Sequence, residues 1–119
     1  MQHLFCLKKL CIVGLLALLF PGIEAFAAGA YLVQGGTVKK VGSTNANATS
    51  FVIQVSGGSV NTCGSTWINF NQADAPDAAT FARAYASALL ALTSQTPVVI
   101  FNYFDTTCQR AGYIELDQS

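Results

Sequence analysis

DAPDAATFARAYASALLALTSQTPVVIFNYF, the run from Asp74 to Phe104, carries two different hydrophobic periods side by side, and the fold is read from where one gives way to the other. Asp74, Pro76 and Asp77 mark a helix start, since proline suits the first turn and carboxylates favour the positive end of the helix dipole. From Pro76 to about Thr93 nothing breaks a helix. Phe81, Tyr85, Leu89 and Leu92 recur at spacings of four, four and three, which makes one apolar stripe predicted to be buried. The run Ser94 to Pro97 ends the helix. Val98 to Phe104 then turns β-branched and aromatic, as a central strand does.

Working upstream, Thr66 to Phe70 reads as a strand, with Trp67 and Asn69 on one side and Ile68 and Phe70 on the other. Phe51, Ile53 and Val55 alternate within Ser50 to Val55, and Ser56-Gly57-Gly58 turns the chain as a hairpin would. The segment from Tyr31 to Val41 is a strand whose Gly35-Gly36 pair permits a bulge or sharp bend. A polar loop from Gly42 to Thr49 separates these two strands, and its Asn47-Ala-Thr49 glycosylation pattern is read as loop sequence only. Downstream, Asp105-Thr-Thr107 is a turn, and Gly112 to Leu116 closes the chain with clean alternation. The fold class is mainly β (α+β). The element order suits a small five-stranded OB-like antiparallel barrel with one helix between strands 3 and 4. An open antiparallel sheet with the helix on one face uses the same elements.

The other end of the chain has a different character. Leu10 to Phe20 is an apolar run preceded by Lys8 and Lys9 and followed by Pro21, Gly22 and the small residues around Ala25-Phe-Ala27. These are the three regions of a cleavable export signal, with the cut expected after Ala27. A spanning helix needs roughly 20 apolar residues, so no lasting membrane anchor is expected. Residues 1–27 are thus assigned as a signal peptide and residues 28–119 as a single domain, exported to the periplasm or secreted.

Removing the signal removes His3, Cys6 and Cys11. The remainder has no histidine, two cysteines, and four basic against five acidic residues. A histidine-assisted nucleophile is excluded. Zinc ligation and any cofactor site lack their usual residues. No basic footprint for nucleic acid exists, Lys39-Lys40 being too brief. Cys63 and Cys108, the only cysteines left in an exported chain, are expected to pair. Asp105 and Glu115 could meet as an acid pair, but turn and solvent-facing roles suit them better, and no enzyme is expected. The remaining candidates are Trp67, Tyr103 and Tyr113, with Asn69 and Asn102 as hydrogen-bonding neighbours. Facing outward they would make a stacking platform for a sugar or peptide; facing inward, Trp67 would be core.

Three stretches carry a family resemblance. They are Phe51 to Val55 with Cys63 and Trp67 to Phe70; Phe81 to Tyr85 with Ala88 to Ala91; and Val98 to Tyr103 with Asp105 to Cys108 and Tyr113-Ile114. Together they resemble a group of small exported bacterial proteins of unknown function. More distantly they are similar to the B subunit of subtilase cytotoxin, a pentameric OB-fold subunit that binds glycans. The resemblance implies a barrel and a non-enzymatic, exported character, and it transfers no binding residue. It also implies a ring in which the alanine-rich helix face, with Ala82 and Ala86, meets neighbouring copies. The expectation is a disulfide-stabilised binding module for a glycan or partner protein, able to form homo-oligomers. The alternative is a monomeric accessory or structural envelope protein without a small ligand.

Overall fold

The computed structural model describes residues 29–43 and 49–119. The expected export signal with its expected cleavage site, and most of the 42–49 loop, lie outside the described residues. The strands are β1 (Ala30–Ser43), β2 (Ser50–Ser56), β3 (Val60–Asn61), β4 (Ile68–Asn71), β5 (Val98–Asn102) and β6 (Tyr113–Leu116). One helix, α1 (Ala78–Ser94), lies between β4 and β5. The short β3 is the strand that sequence alone did not separate from its loop.

The antiparallel order is β4-β2-β1-β5-β6, with β3 attached to β1. The two ends of this path then approach each other. Phe70 and Ala111 form a parallel bridge, with Asn69 N donating to Cys108 O at 2.8 Å and Ala111 N to Asn69 O at 3.0 Å. That contact bends the sheet into a partly open barrel of the OB kind rather than a flat sheet.

β1 makes the barrel possible because it serves both halves. Residues from Thr37 to Ser43 pair with β2, and those from Ala30 to Gly36 pair with β5. The crossing point is the Gly35-Gly36 pair, where the register slips against β5. Gly35 has φ +79°, which glycine alone adopts without penalty. A Cβ on Gly36 would lie 2.4 Å from Val55 Cγ1. The expected bulge is therefore a corner of the barrel.

The turn at Gly57-Gly58 is present, but the tight hairpin expected there is not. After the turn the chain goes back to β1 through β3, with Val33 opposite Asn61. Only after a further loop does β4 reach β2. The side-chain amide of Asn61 holds this detour, donating to Val55 O and Gly57 O, each at 3.2 Å.

Leu32, Val33, Val38, Phe51, Ile53, Val55, Ile68, Phe70, Val98 and Ile100 fill the barrel. Phe51 is the junction with the helix: its ring stacks on Phe70 at 4.6 Å and Phe81 at 5.4 Å, and meets Tyr85 edge-on at 5.1 Å. Asp77 caps α1 by accepting from Thr80 N at 2.7 Å, and Gln95 ends it in the left-handed region. Asp74 does not serve the helix dipole as expected. It lies in a short 3-10 turn (Gln72–Asp74) and pairs with Arg110 at 2.9 Å.

The helix stripe needs a correction too. Phe81, Ala84, Tyr85, Ala88, Ala91 and Leu92 face the barrel, and Ala88 and Ala91 are fully buried, whereas Leu89 is 39% exposed. At about 100° per residue, Leu89 has drifted about 80° from Phe81. The small residues Ala88 and Ala91 occupy the close-contact line instead. Ala82 and Ala86 are exposed, as expected.

Candidate functional site

Strand alternation decides which aromatic rings reach solvent. In β5, Val98, Ile100 and Asn102 point inward, so Val99 and Phe101 point out, and Tyr103 follows outward beyond the strand end. Register then aligns the neighbours, with Tyr31 of β1 opposite Phe101 and, on the other side, Tyr113 opposite Phe101 and Glu115 opposite Val99. Tyr31 meets Phe101 edge-to-face at 4.9 Å, and Phe101 meets Tyr103 in the same way at 5.0 Å. Tyr31 is 51% exposed and Tyr103 56%.

Two glycines provide room for these rings. A Cβ on Gly29 would stand 2.8 Å from the Phe101 ring, and one on Gly112 would stand 3.1 Å from Tyr103 Cδ2. Both rings lie against bare backbone.

Tyr31, Val99, Phe101, Tyr103, Tyr113 and Glu115 enclose an open cleft of about 360 Å³. It continues past Tyr31, Val99 and Glu115 into a second hollow of about 530 Å³, bounded by Gln34, Gly35, Ser59 and Asp117. Tyr113 Oη donates to Glu115 Oε2 at 2.6 Å. That bond, followed by partial desolvation, raises the phenol above its ordinary value of 10.0. Hydrogen bonds from Ser119 hold the Asp117 carboxyl below its ordinary value. The groove is thus an aromatic wall with a carboxylate margin, and among the described residues no lysine or arginine lines it.

Of the residues singled out from sequence, Tyr103 and Tyr113 meet here, and Trp67, Asn69 and Asn102 do not join them. Trp67 is 40% exposed, so it is not core, yet it precedes β4 at the far end of the strand order. Asn69 belongs to the barrel closure, donating from Nδ2 to Gln109 Oε1 at 3.0 Å, while its Oδ1 is buried without a hydrogen-bond partner. Asn102 is 0% exposed. Its Oδ1 accepts from Phe104 N and Asp105 N at 2.8 and 3.1 Å, and its Nδ2 donates to Asp105 Oδ1 and Thr107 O at 2.6 and 2.8 Å. A side chain so committed to its own turn has nothing to offer a ligand.

Sequence reasoning missed Tyr31, Phe101 and the glycines beneath the rings. Phe101 and Tyr103 do share a face by alternation, but Tyr31 joins them only through the β1–β5 register, which slips between Tyr31 and Val33.

The carboxylates divide among separate tasks. Asp105 accepts from Thr107 N and Oγ1 at 2.9 and 2.8 Å, which holds it below its ordinary value. Glu115 lies on the groove, so the two do not converge. Arg110 spans Asp74 at 2.9 Å and Asp105 at 4.0 Å, with its guanidinium 4.1 Å from the Phe104 ring centre. Cys63 and Cys108 form the expected disulfide, Cα atoms 6.0 Å apart. It ties the loop after β3 to the loop that reaches the barrel closure. Among the described residues no group of three or more histidine, cysteine or acidic side chains could hold a metal ion, and no helix is long and apolar enough to cross a membrane.

A family model described as a family of unknown function, DUF5992, matches residues 10–118. No curated protein and no solved structure matches the chain, so the likeness to the cytotoxin B subunit receives no support from those comparisons.

Proposed function

Given that the chain belongs to the DUF5992 family, whose function is unknown, we propose one from the groove itself: an exported, disulfide-stabilised module that binds a glycan on the outer face of β1, β5 and β6. One observation carries this reading. Tyr31, Phe101 and Tyr103 form a row of partly exposed rings that pack on one another instead of entering the core, and Tyr113 lines the same cleft from the neighbouring strand. Aromatic faces bind the apolar faces of sugar rings, while phenols and carboxylates bind their hydroxyls. The disulfide suits an oxidising compartment, periplasmic or extracellular.

The distant likeness to the toxin subunit, a glycan binder that forms rings, points the same way. It adds the proposal that copies of this chain associate through the exposed helix face of Ala82 and Ala86. The test is a glycan array with protein purified after export, beside Tyr103→Ala. Light scattering on the same sample reads the oligomeric state. Binding that is lost in Tyr103→Ala supports the module; an inert monomer overturns it in favour of an accessory or structural envelope protein.

A further inference from the structure

We infer that the sugar taken by this groove carries a free, protonated amine, making the ligand class an amino-sugar oligomer; this rests on the glycan reading above. The argument is charge complementarity across the whole lining. The two hollows are bounded by four aromatic rings, Val99, the polar residues around Gln34 and Ser59, and two carboxylates, Glu115 and Asp117. The basic side chains of the described residues are placed elsewhere. Lys39 borders a separate cleft with Gln54 and Asn61. Arg110 is held between Asp74 and Phe104. Arg83 donates to Thr80 Oγ1 on the helix, and Lys40 lines neither hollow.

An anionic ligand would therefore meet two carboxylates with no lysine or arginine side chain in the lining to compensate them. A cation meets attraction twice, from the negative faces of the rings and from the carboxylates. The Tyr113–Glu115 bond gives the second term a fixed position. It engages Oε2 at 2.6 Å, while Oε1 accepts no hydrogen bond from the described residues. A positioned carboxylate with one open oxygen beside an aromatic wall matches an ammonium group attached to a stacked sugar ring. The glycines beside Phe101 and Tyr103 leave those two rings room against bare backbone, and each ring offers its own face or edge to the ligand, since neighbouring rings meet edge-to-face.

Isothermal titration of the protein purified after export, with a β-linked glucosamine oligomer and its fully N-acetylated counterpart of equal length, tests the inference. The two probes share the pyranose backbone and its linkage and differ at C2, where one carries an ammonium and the other a neutral acetamide. The free amine should bind about tenfold more tightly at low salt, about 1.4 kcal/mol. That advantage should shrink as salt rises, because both carboxylates are near water. Glu115→Gln should erase most of the difference while leaving residual stacking affinity, and Tyr103→Ala should weaken both probes. Equal or tighter binding of the acetylated oligomer, or an unchanged ratio in Glu115→Gln, overturns the amine inference and leaves the glycan reading standing. Failure of both oligomers together with an empty array overturns the glycan reading itself. A short lysine peptide binding as tightly as the glucosamine oligomer would overturn the assignment to a sugar.

Discussion

Asn102→Ala separates a structural role from a ligand-binding one at a residue for which sequence suggested the latter. Asn102 is fully buried and makes four hydrogen bonds, two accepted from the backbone of Phe104 and Asp105 and two donated to Asp105 and Thr107. At about 0.5–1.5 kcal/mol each, four bonds set an upper range of about 2–6 kcal/mol. The turn lies near the surface and water can replace some partners, so the expected loss is about 2–4 kcal/mol. For a domain of this size that lowers Tm by roughly 10–25 °C. Asn102→Asp should cost at least as much, since it keeps the acceptors, loses both donors and sets a second carboxylate against Asp105. Urea unfolding followed by circular dichroism, with the fluorescence of the single tryptophan as a second probe, measures both variants. A loss below about 0.5 kcal/mol with an unchanged urea slope would refute the argument. So would intact stability combined with lost glycan affinity, because that result returns Asn102 to the ligand.

Leu89→Ala should cost less than about 1 kcal/mol because the side chain is already partly in water, whereas Ala88→Leu should cost about 1–3 kcal/mol by overpacking α1 against β1; chemical denaturation of the pair reads both. Replacing Cys63 and Cys108 together by alanine should lower stability by about 4 kcal/mol on the chain-entropy argument for a separation of 45 residues, and an unchanged Tm would contradict that origin. Asp74 is held below its ordinary value of 3.8, chiefly by its hydrogen bond from Arg110. The stability it contributes is present above about pH 4 and is lost as pH falls through the lowered folded value. Asp74→Asn should therefore be less stable than wild type at pH 6, with the gap closing as pH falls through the lowered folded value; a gap that stays constant across a pH series would show that Asp74 does not titrate against Arg110.

The elements were legible wherever a single period ran long enough. The helix, the alternation of Phe51, Ile53 and Val55, and the bulge at Gly35-Gly36 all follow from local rules. The disulfide followed from cysteine arithmetic. Leu89 was misplaced because larger side chains suggest the buried stripe, yet a helix lying close to a barrel buries its smallest residues on the contact line. The hairpin after Gly58 was misread because β3 is two residues long and chooses β1 over β2 through non-local pairing. The groove was half legible. Tyr103 and Tyr113 stand near their partners in sequence, but Tyr31 arrives from the first strand through a slipped register. Asn102 looked like a ligand donor because side-chain chemistry alone does not reveal that its turn uses every hydrogen bond.

The strand that serves both halves of the barrel also sets an order of events. β1 is synthesised before any of its partners, and Ala30 and Tyr31 pair with Asn102 and Phe101 near the other end. Until β5 arrives, the half of β1 before Gly35 has only the two-residue β3 on one edge and no partner on the other. Pairing so distant along the chain makes folding slow and leaves that edge open to association for its duration. The groove, built across β1, β5 and β6, is then among the last surfaces to form. A chain truncated before Tyr113 would lack not only one wall of the groove but the strand that completes the sheet around β5.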